Sequence, residues 1–274
     1  MTKFVYRKFL FVLLVFALEI PFSVTAVTLN PVCPTSIRVG YNDWPPYAWQ
    51  ALDGQLFGLD IELMRDFAEY LGCQVTFIKI PAKRSHQMLK EGTLDMMMGA
   101  TLTLERQSYA LFSRAYREEE IRLFALDKSD SHLELTQWED IFDQKLRLLV
   151  PNSGWFGADY ERTQHRLDQA HLLVLSPGPD KSVQMLNHGR ADFILGESIA
   201  IPYVSQRQGI SLIALPMVLA QHDIHLMFSK ASMTALQVEQ FDLAIDTFRQ
   251  NGLLEKVLLK WQRFAQSATA EMTQ

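Results

Sequence analysis

Four stretches of the chain put charged, hydroxyl or aromatic side chains just beyond the expected carboxyl ends of strands, where open α/β sheets hold small molecules. Asp43-Trp44-Pro45-Pro46-Tyr47 fixes two rings beside consecutive prolines, and such rings can stack on an apolar or cationic group. Gly99-Ala100-Thr101-Leu102-Thr103-Leu104-Glu105-Arg106 ends a strand at glycine, then supplies two hydroxyls and a guanidinium. The planar fork of Arg106 can hold a carboxylate bidentately. Thr101, Thr103 and the free amides of a helix start would assist it. Ser153-Gly154-Trp155 offers a turn of unpaired N–H groups and a third ring. Gly196-Glu197-Ser198 places an acid at a helix start, where it can cap the helix, face a ligand, or do both. Arg106 and Glu197 on opposite sides of a gap would take the carboxylate and ammonium ends of one bipolar molecule. Plainer uses compete: Arg106 could pair with Glu105 or Glu118, and the rings of Trp44, Tyr47 and Trp155 could be core.

The elements that must position these groups are announced by a repeat. Residues 87–100 read Gln-Met-Leu-Lys-Glu-Gly-Thr-Leu-Asp-Met-Met-Met-Gly-Ala, and residues 184–197 read Gln-Met-Leu-Asn-His-Gly-Arg-Ala-Asp-Phe-Ile-Leu-Gly-Glu. Each copy reads as a helix end, a glycine stop and a buried strand. The repeat makes Glu197 the counterpart of Ala100, at the same edge of a second lobe. Period-2 and helical apolar patterns predict strands at 37–41, 75–80, 95–99 and 121–126, with helices at 59–71 and 84–91. A second round has strands at 146–150, 171–175, 192–196 and 210–215, with helices at 155–168, 180–188 and 198–207. A strand at 224–228 and helices at 232–250 and 253–264 close the chain.

Alternating strands and helices mean an α/β protein with parallel sheets and right-handed crossovers. The second round lies inside the first, so the chain should cross twice between two parallel-sheet lobes, near 125–128 and 217–222. Two adjacent crossings form a two-segment hinge. The expected organisation is lobe one at 27–124 and 222–266, lobe two at 125–221, and a flexible tail at 267–274.

The composition is that of a globular protein, 48% hydrophobic and 21% charged, and the net charge of −5 with no long basic run argues against a nucleic-acid partner. Residues 1–26 stand apart. Lys3, Arg7 and Lys8 precede an apolar run over 9–18, and Val24-Thr25-Ala26 supplies small residues at a cleavage site. This is the anatomy of a secretory signal peptide; the run is too short for the roughly 20 residues of a spanning helix. Export to an oxidising compartment makes Cys33 and Cys73 a candidate disulfide, worth about 4 kcal/mol in the chain-entropy model. His222 and His225 fall i,i+3 where the chain turns extended, which suits no shared metal. No metal or cofactor is expected.

Taken in order, RVGYNDWPPY, DGQLFGLDIELM, LKEGTLD, LTLER with YALFS, LNHGRADFILGE, IHLMFSK and FRQNGLLEKVLLKW resemble the periplasmic solute-binding proteins for polar amino acids that feed ABC transporters, solute-binding protein family 3. The resemblance runs from Ile37 to about Trp261. It implies the type II periplasmic-binding-protein fold, a monomer, and delivery of a captured solute to a membrane permease. It implies that Arg106 binds an α-carboxylate with Thr101 and Thr103, that Tyr47 and Trp44 stack on a side chain, and that Glu197 takes an α-ammonium. Arg84 falls where some relatives have a cleft-facing arginine. The chain departs from the family pattern at Leu104, often Pro, at Arg114-Ala115, often Asp-Pro, and at Glu197, frequently Asp. The same fold resembles periplasmic dehydratases acting on cyclic carboxylic acids, where Glu197 could be a general acid. A stand-alone sensor module is a further alternative. No nucleophile–His–acid set points to catalysis.

Overall fold

The computed structural model of the chain describes residue 33 and residues 36–127 and 135–267. The expected signal peptide, the segment around 128 and residues 268–274 lie outside the described residues. The chain runs β1 (Ile37–Tyr41), β2 (Trp49–Gln50), β3 (Leu56–Phe57), α1 (Leu59–Leu71), β4 (Val75–Lys79), α2 (Ala82–Glu91), β5 (Met96–Thr101), α3 (Leu104–Gln107) and β6 (Ala110–Leu126). It continues α4 (Trp138–Asp143), β7 (Leu148–Pro151), α5 (Ala158–Gln169), β8 (Leu173–Ser176), α6 (Pro179–Asn187), β9 (Phe193–Glu197), α7 (Ala200–Arg207), β10 (Leu212–Ser229), α8 (Ala235–Gln250) and α9 (Leu253–Ser267).

Eight strands form one hydrogen-bonded sheet, ordered β4-β1-β5-β10-β6-β9-β7-β8. On each flank three parallel strands, β4-β1-β5 and β8-β7-β9, are linked by helices. In the middle, β6 and β10 run antiparallel to each other over almost their whole length. β10 meets the first flank through Ile224–Phe228 against β5, and β6 meets the second through Ile121–Phe124 against β9. The sheet therefore has two halves sharing two long strands. The expected strands 210–215 and 224–228 are one strand, and the strand expected at 121–126 starts at Ala110. The missed part, residues 110–120, ends in the charge run Arg117-Glu118-Glu119-Glu120, whose alternate residues face opposite ways. α9 extends to Ser267, one residue into the expected tail.

Each half has its own core. Phe67, Phe228, Phe241 and Ile245 centre the first, and Leu148, Val150, Leu167 and Phe193 the second. Because Ile121–Phe124 already pair with β9, the chain passes between halves near residues 117–120 on β6 and near 218–223 on β10. The first passage falls ahead of 125–128. Register breaks in the β6–β10 pairing flank this region on both sides, as bulges that bend and twist a ribbon do.

The repeat proves to be a pair of matching clips. In the first copy, Asp95 accepts from the Arg38 backbone N–H at 2.8 Å and from the Arg38 guanidinium, while the Gly92 carbonyl accepts from the same guanidinium at 2.9 Å. In the second, Asp192 accepts from the Arg147 N–H at 2.7 Å and the Gly189 carbonyl accepts from the Arg147 guanidinium at 3.0 Å. Each clip locks the start of a central strand to the loop that opens its neighbour. Outside the sheet, Cys33 and Cys73 form a disulfide, tying the segment before β1 to the turn between α1 and β4. No helix among the described residues is long and apolar enough to cross a membrane.

Candidate functional site

A cavity of about 130 Å³ lies between the two halves, beyond the carboxyl ends of β1, β5, β7 and β9. Its lining includes Trp44, Tyr47, Thr101, Arg106, Ser153, Gly154, Trp155 and Glu197. All four sequence stretches thus converge on one space. Arg84 and Thr103 do not line it. Arg84 is exposed on α2, and Thr103 caps α3, its hydroxyl accepting the Arg106 backbone N–H at 3.3 Å.

Trp44 and Tyr47 are carried by the loop after β1, where the Pro45–Pro46 peptide is cis. Trp44 packs against both cores, so one ring touches both halves. Arg106 projects from the short helix α3, and its guanidinium donates to the Thr101 carbonyl at 2.8 Å. Among the described residues it has no ion-pair partner, neither Glu105 nor Glu118. Burial lowers its pKa, which Tyr109 and Glu105 partly offset. A guanidinium with free donors over a cavity is the group a carboxylate needs. His86, from α2, shares this end of the cavity, with its Nδ1 2.9 Å from the Tyr109 hydroxyl. Burial, helped by Arg106 and Lys90, pushes the imidazole pKa down to about 4, so it is neutral at physiological pH.

The opposite end is acidic. Glu197 is 2% exposed, and its carboxylate accepts the N–H groups of Ile199 at 2.9 Å and Ala200 at 2.6 Å. It therefore caps the start of α7 and lines the cavity as well. Burial, together with the nearby Glu119, raises its pKa to about 7.

Beneath both ends runs a buried ion ladder that was not anticipated from the sequence. The Arg117 guanidinium donates to Asp60 at 3.0 and 3.3 Å and to Glu119 at 2.9 Å. It also lies 3.9 Å from the centre of the Tyr47 ring, a cation–π contact. Burial works against this cation, but Asp60 and Glu119 outweigh it and raise its pKa well above the ordinary value. Burial likewise opposes ionisation of Glu119, and Arg117 and His222 overcome it, so its pKa is lowered. His222 stands opposite Glu119 in the β6–β10 register, its Nε2 3.4 Å from the carboxylate, with Trp155 edge-on at 4.9 Å. Tyr116 donates to Asp60 at 2.8 Å and accepts the Gly99 N–H at 3.0 Å. Gly99 sits at φ 66°, and a Cβ there would come 3.1 Å from Asp60, so glycine lets β5 approach the ladder. The signal available in the sequence was the period: Arg117 and Glu119 share one strand face with Ile121, while Glu118 points out. His225 is apart from His222, its Nδ1 against the Ser113 carbonyl at 2.7 Å. Among the described residues no cluster of side chains could hold a metal.

Two α/β halves joined through shared strands, with a charged and ring-lined cavity at their strand ends, make up a solute-binding protein of the periplasmic type. The chain belongs to the bacterial extracellular solute-binding proteins, family 3, which matches residues 37–264. The fold is the type II periplasmic-binding-protein fold. Among solved structures, the chain is similar to a histidine kinase sensor domain with similarity to periplasmic binding proteins, at 22% identity and TM-score 0.72 over 82% of this chain and 95% of that one. It is similar to a putative L-cystine ABC transporter protein from Listeria monocytogenes, at 21% identity and TM-score 0.70 over 84% and 96%. It is also similar to the ancestral amino acid-binding protein AncCDT-1, a precursor of cyclohexadienyl dehydratase, at 20% identity and TM-score 0.66 over 83% and 95%. At such identities the likeness is one of fold. A sequence comparison with curated proteins finds no match.

Proposed function

We propose that the protein is an exported receptor that captures a small polar solute, an amino acid before other candidates, and delivers it to an ABC-type permease. The observation that carries this is the pairing of Arg106 and Glu197 across one cavity walled by Trp44, Tyr47 and Trp155. Arg106 and Thr101 take the carboxylate, with the N–H groups of Ser153 and Gly154 on the other wall. Glu197 takes the ammonium, and the rings enclose the side chain. The two lobes are the halves of the sheet, and the hinge is the pair of passages at 117–120 and 218–223. Only the closed arrangement lets both lobes hold the solute, so the solute shifts the population toward it. Cleavage of a signal peptide at 1–26 would deliver the chain to an oxidising compartment, in keeping with the Cys33–Cys73 disulfide.

Arg106→Ala tests the reading. A thermal-shift screen of L-amino acids, other small carboxylates and polyamines identifies a stabilising solute. Calorimetry on the variant should then show at least a hundredfold weaker binding, about 3 kcal/mol for a lost charge-assisted pair, with an unchanged melting temperature. Retained affinity would remove Arg106 from the site.

A catalytic reading has one specific support, the carboxyl of Glu197 with its pKa raised to about 7 by burial and Glu119, the state a general acid needs. Chromatography of cyclic carboxylic acids after incubation separates the two: recovery unchanged favours capture, and a dehydrated product favours catalysis. A sensor reporting to a separate membrane protein would bind the same solute, and would be told apart by its partner.

A further inference from the structure

The acidic end of the cavity holds more negative charge than its cation can balance. Arg117 is shared between Asp60 and Glu119, with three of its N–H groups already committed to them. Glu197 adds a third carboxylate with no cation hydrogen-bonded to it. β-Sheet geometry sets Glu119 and Glu197 side by side. Ile121 lies directly opposite Glu197 in the β6–β9 register, and Glu119, two residues earlier, projects from the same face, within the diagonal reach of long side chains. Both line the cavity; Glu197 is buried and the Glu119 side chain is 14% exposed.

We infer that Glu119 and Glu197 form a proton-exchanging carboxylate pair, in which the ammonium group of the incoming solute replaces a proton held by Glu197. This rests on the capture reading and adds to it a residue, Glu119, and a stoichiometry. The protonated carboxyl of Glu197 and a cationic R–NH3⁺ give a carboxylate–ammonium pair, and H⁺ leaves to solvent. The ammonium settles between the two acids, beneath Tyr47 and Trp155. The class of solute is therefore one with an amine that is protonated at physiological pH. Two like charges in one dry site resist joint ionisation, and the helix-start N–H groups on Glu197 make the anion available once a cation arrives. Burial and Glu119 raise the pKa of Glu197 to about 7, which puts the exchange within the physiological range. The groups facing the pair are Arg117 on β6, His222 on β10, Tyr47 after β1, Asp60 on α1 and, more remotely, Arg106 on α3. His86 is neutral throughout this range and takes no part.

The test is calorimetry on the intact protein with the proteinogenic L-amino acids, putrescine and spermidine as ammonium probes. Their deaminated carboxylate analogues are the controls. Each titration is run in two buffers of different ionisation enthalpy, at about pH 6 and about pH 8. The expected result is close to one proton released per amine bound at about pH 6 and almost none at about pH 8, with affinity rising about tenfold per pH unit below the midpoint. Glu197→Gln should abolish the release, and Glu119→Gln should shrink it. An amine bound with no net proton at about pH 6 would overturn the exchange and leave capture standing. So would an undiminished release from Glu197→Gln, because the proton would then come from another group. Binding of the deaminated analogues alone would also overturn it, whereas binding of nothing would remove the capture reading too. If either variant fails to fold, carboxyl NMR of the labelled wild-type protein decides by itself. One glutamate must titrate near pH 7 and lose that transition when an amine is bound.

Discussion

Glu197 holds two N–H groups at a helix start and faces a cavity at the same time, and these duties favour opposite protonation states. Capping favours the anion, while burial beside Glu119 favours the neutral acid and wins, moving the pKa from 4.5 to about 7. The folded state without solute therefore binds a proton more tightly than the unfolded chain. A raised folded pKa gives stability that is full below the unfolded value and lost as pH rises through the folded one. The ligand-free protein should then lose up to roughly 3 kcal/mol from this group between about pH 4.5 and pH 7. Asp95, held low by Arg38 against the opposing effect of burial, works in the other direction, but only at more acidic pH. The expected measurement is a melting temperature that falls from about pH 5 to about pH 8, with Glu197→Gln flattening the slope. An equally steep fall in the variant would place the titrating group elsewhere.

At the scale of elements, the clips formed by Asp95 and Asp192 give the repeated glycine and aspartate matching structural roles. Arg38 and Arg147 start the central strands of the two halves, and each is bonded through its backbone and side chain to the repeat's aspartate and glycine. The clips are unequal. The Asp95 side chain is 6% exposed and that of Asp192 is 35% exposed, so solvent takes over more of the second clip's bonds. Asp95→Ala should cost about 3 kcal/mol and Asp192→Ala about 1 kcal/mol by urea unfolding; equal losses would mean the clips are decoration. These elements were legible because glycine stops and apolar periods are local signals. α1 falls on its expected residues because its apolar face and the left-handed Gly72 both mark it. The ladder was not legible for a complementary reason. Arg117 and Glu119 lie in a charge run that reads as a solvated surface, and only the continuation of β6 under the cleft turns alternate members inward. Asp60 likewise looks like a favourable acid in the first turn of α1, and its partners come from β6, far along the chain. Long-range pairing, not local pattern, buries these charges. The same limit affected β10: 210–215 and 224–228 read as two strands because Pro216 interrupts the pattern, yet β10 continues through it by register breaks.

For the whole molecule, the proposed capture mechanism requires the halves to move about β6 and β10. The two strands hold the halves together from below. A second connection lies outside the cavity, where Trp49 of the β2–β3 hairpin meets Tyr203 of α7 at 6.1 Å and Trp261 of α9 at 5.7 Å. Tyr203 in turn meets Phe264 at 5.8 Å, and Ala265 packs into the second half near Ile201 and Val204. Trp49 belongs to the first half and Tyr203 to the second, so any opening between the halves must part their rings. An aromatic pair is worth about 0.5–1.5 kcal/mol beyond its buried area, and that energy biases the ligand-free protein toward closure. Trp49→Leu keeps an apolar side chain but loses the ring pair, and Trp49 does not line the cavity. The variant should therefore bind solute about 2- to 10-fold more weakly with its cavity unchanged, because more molecules must be drawn from the open state. X-ray scattering should show a larger radius of gyration than wild type without solute, and the same radius once solute is saturating. If affinity and both radii stay at wild-type values, the two halves do not part at these rings, and the solute must enter without the hinge.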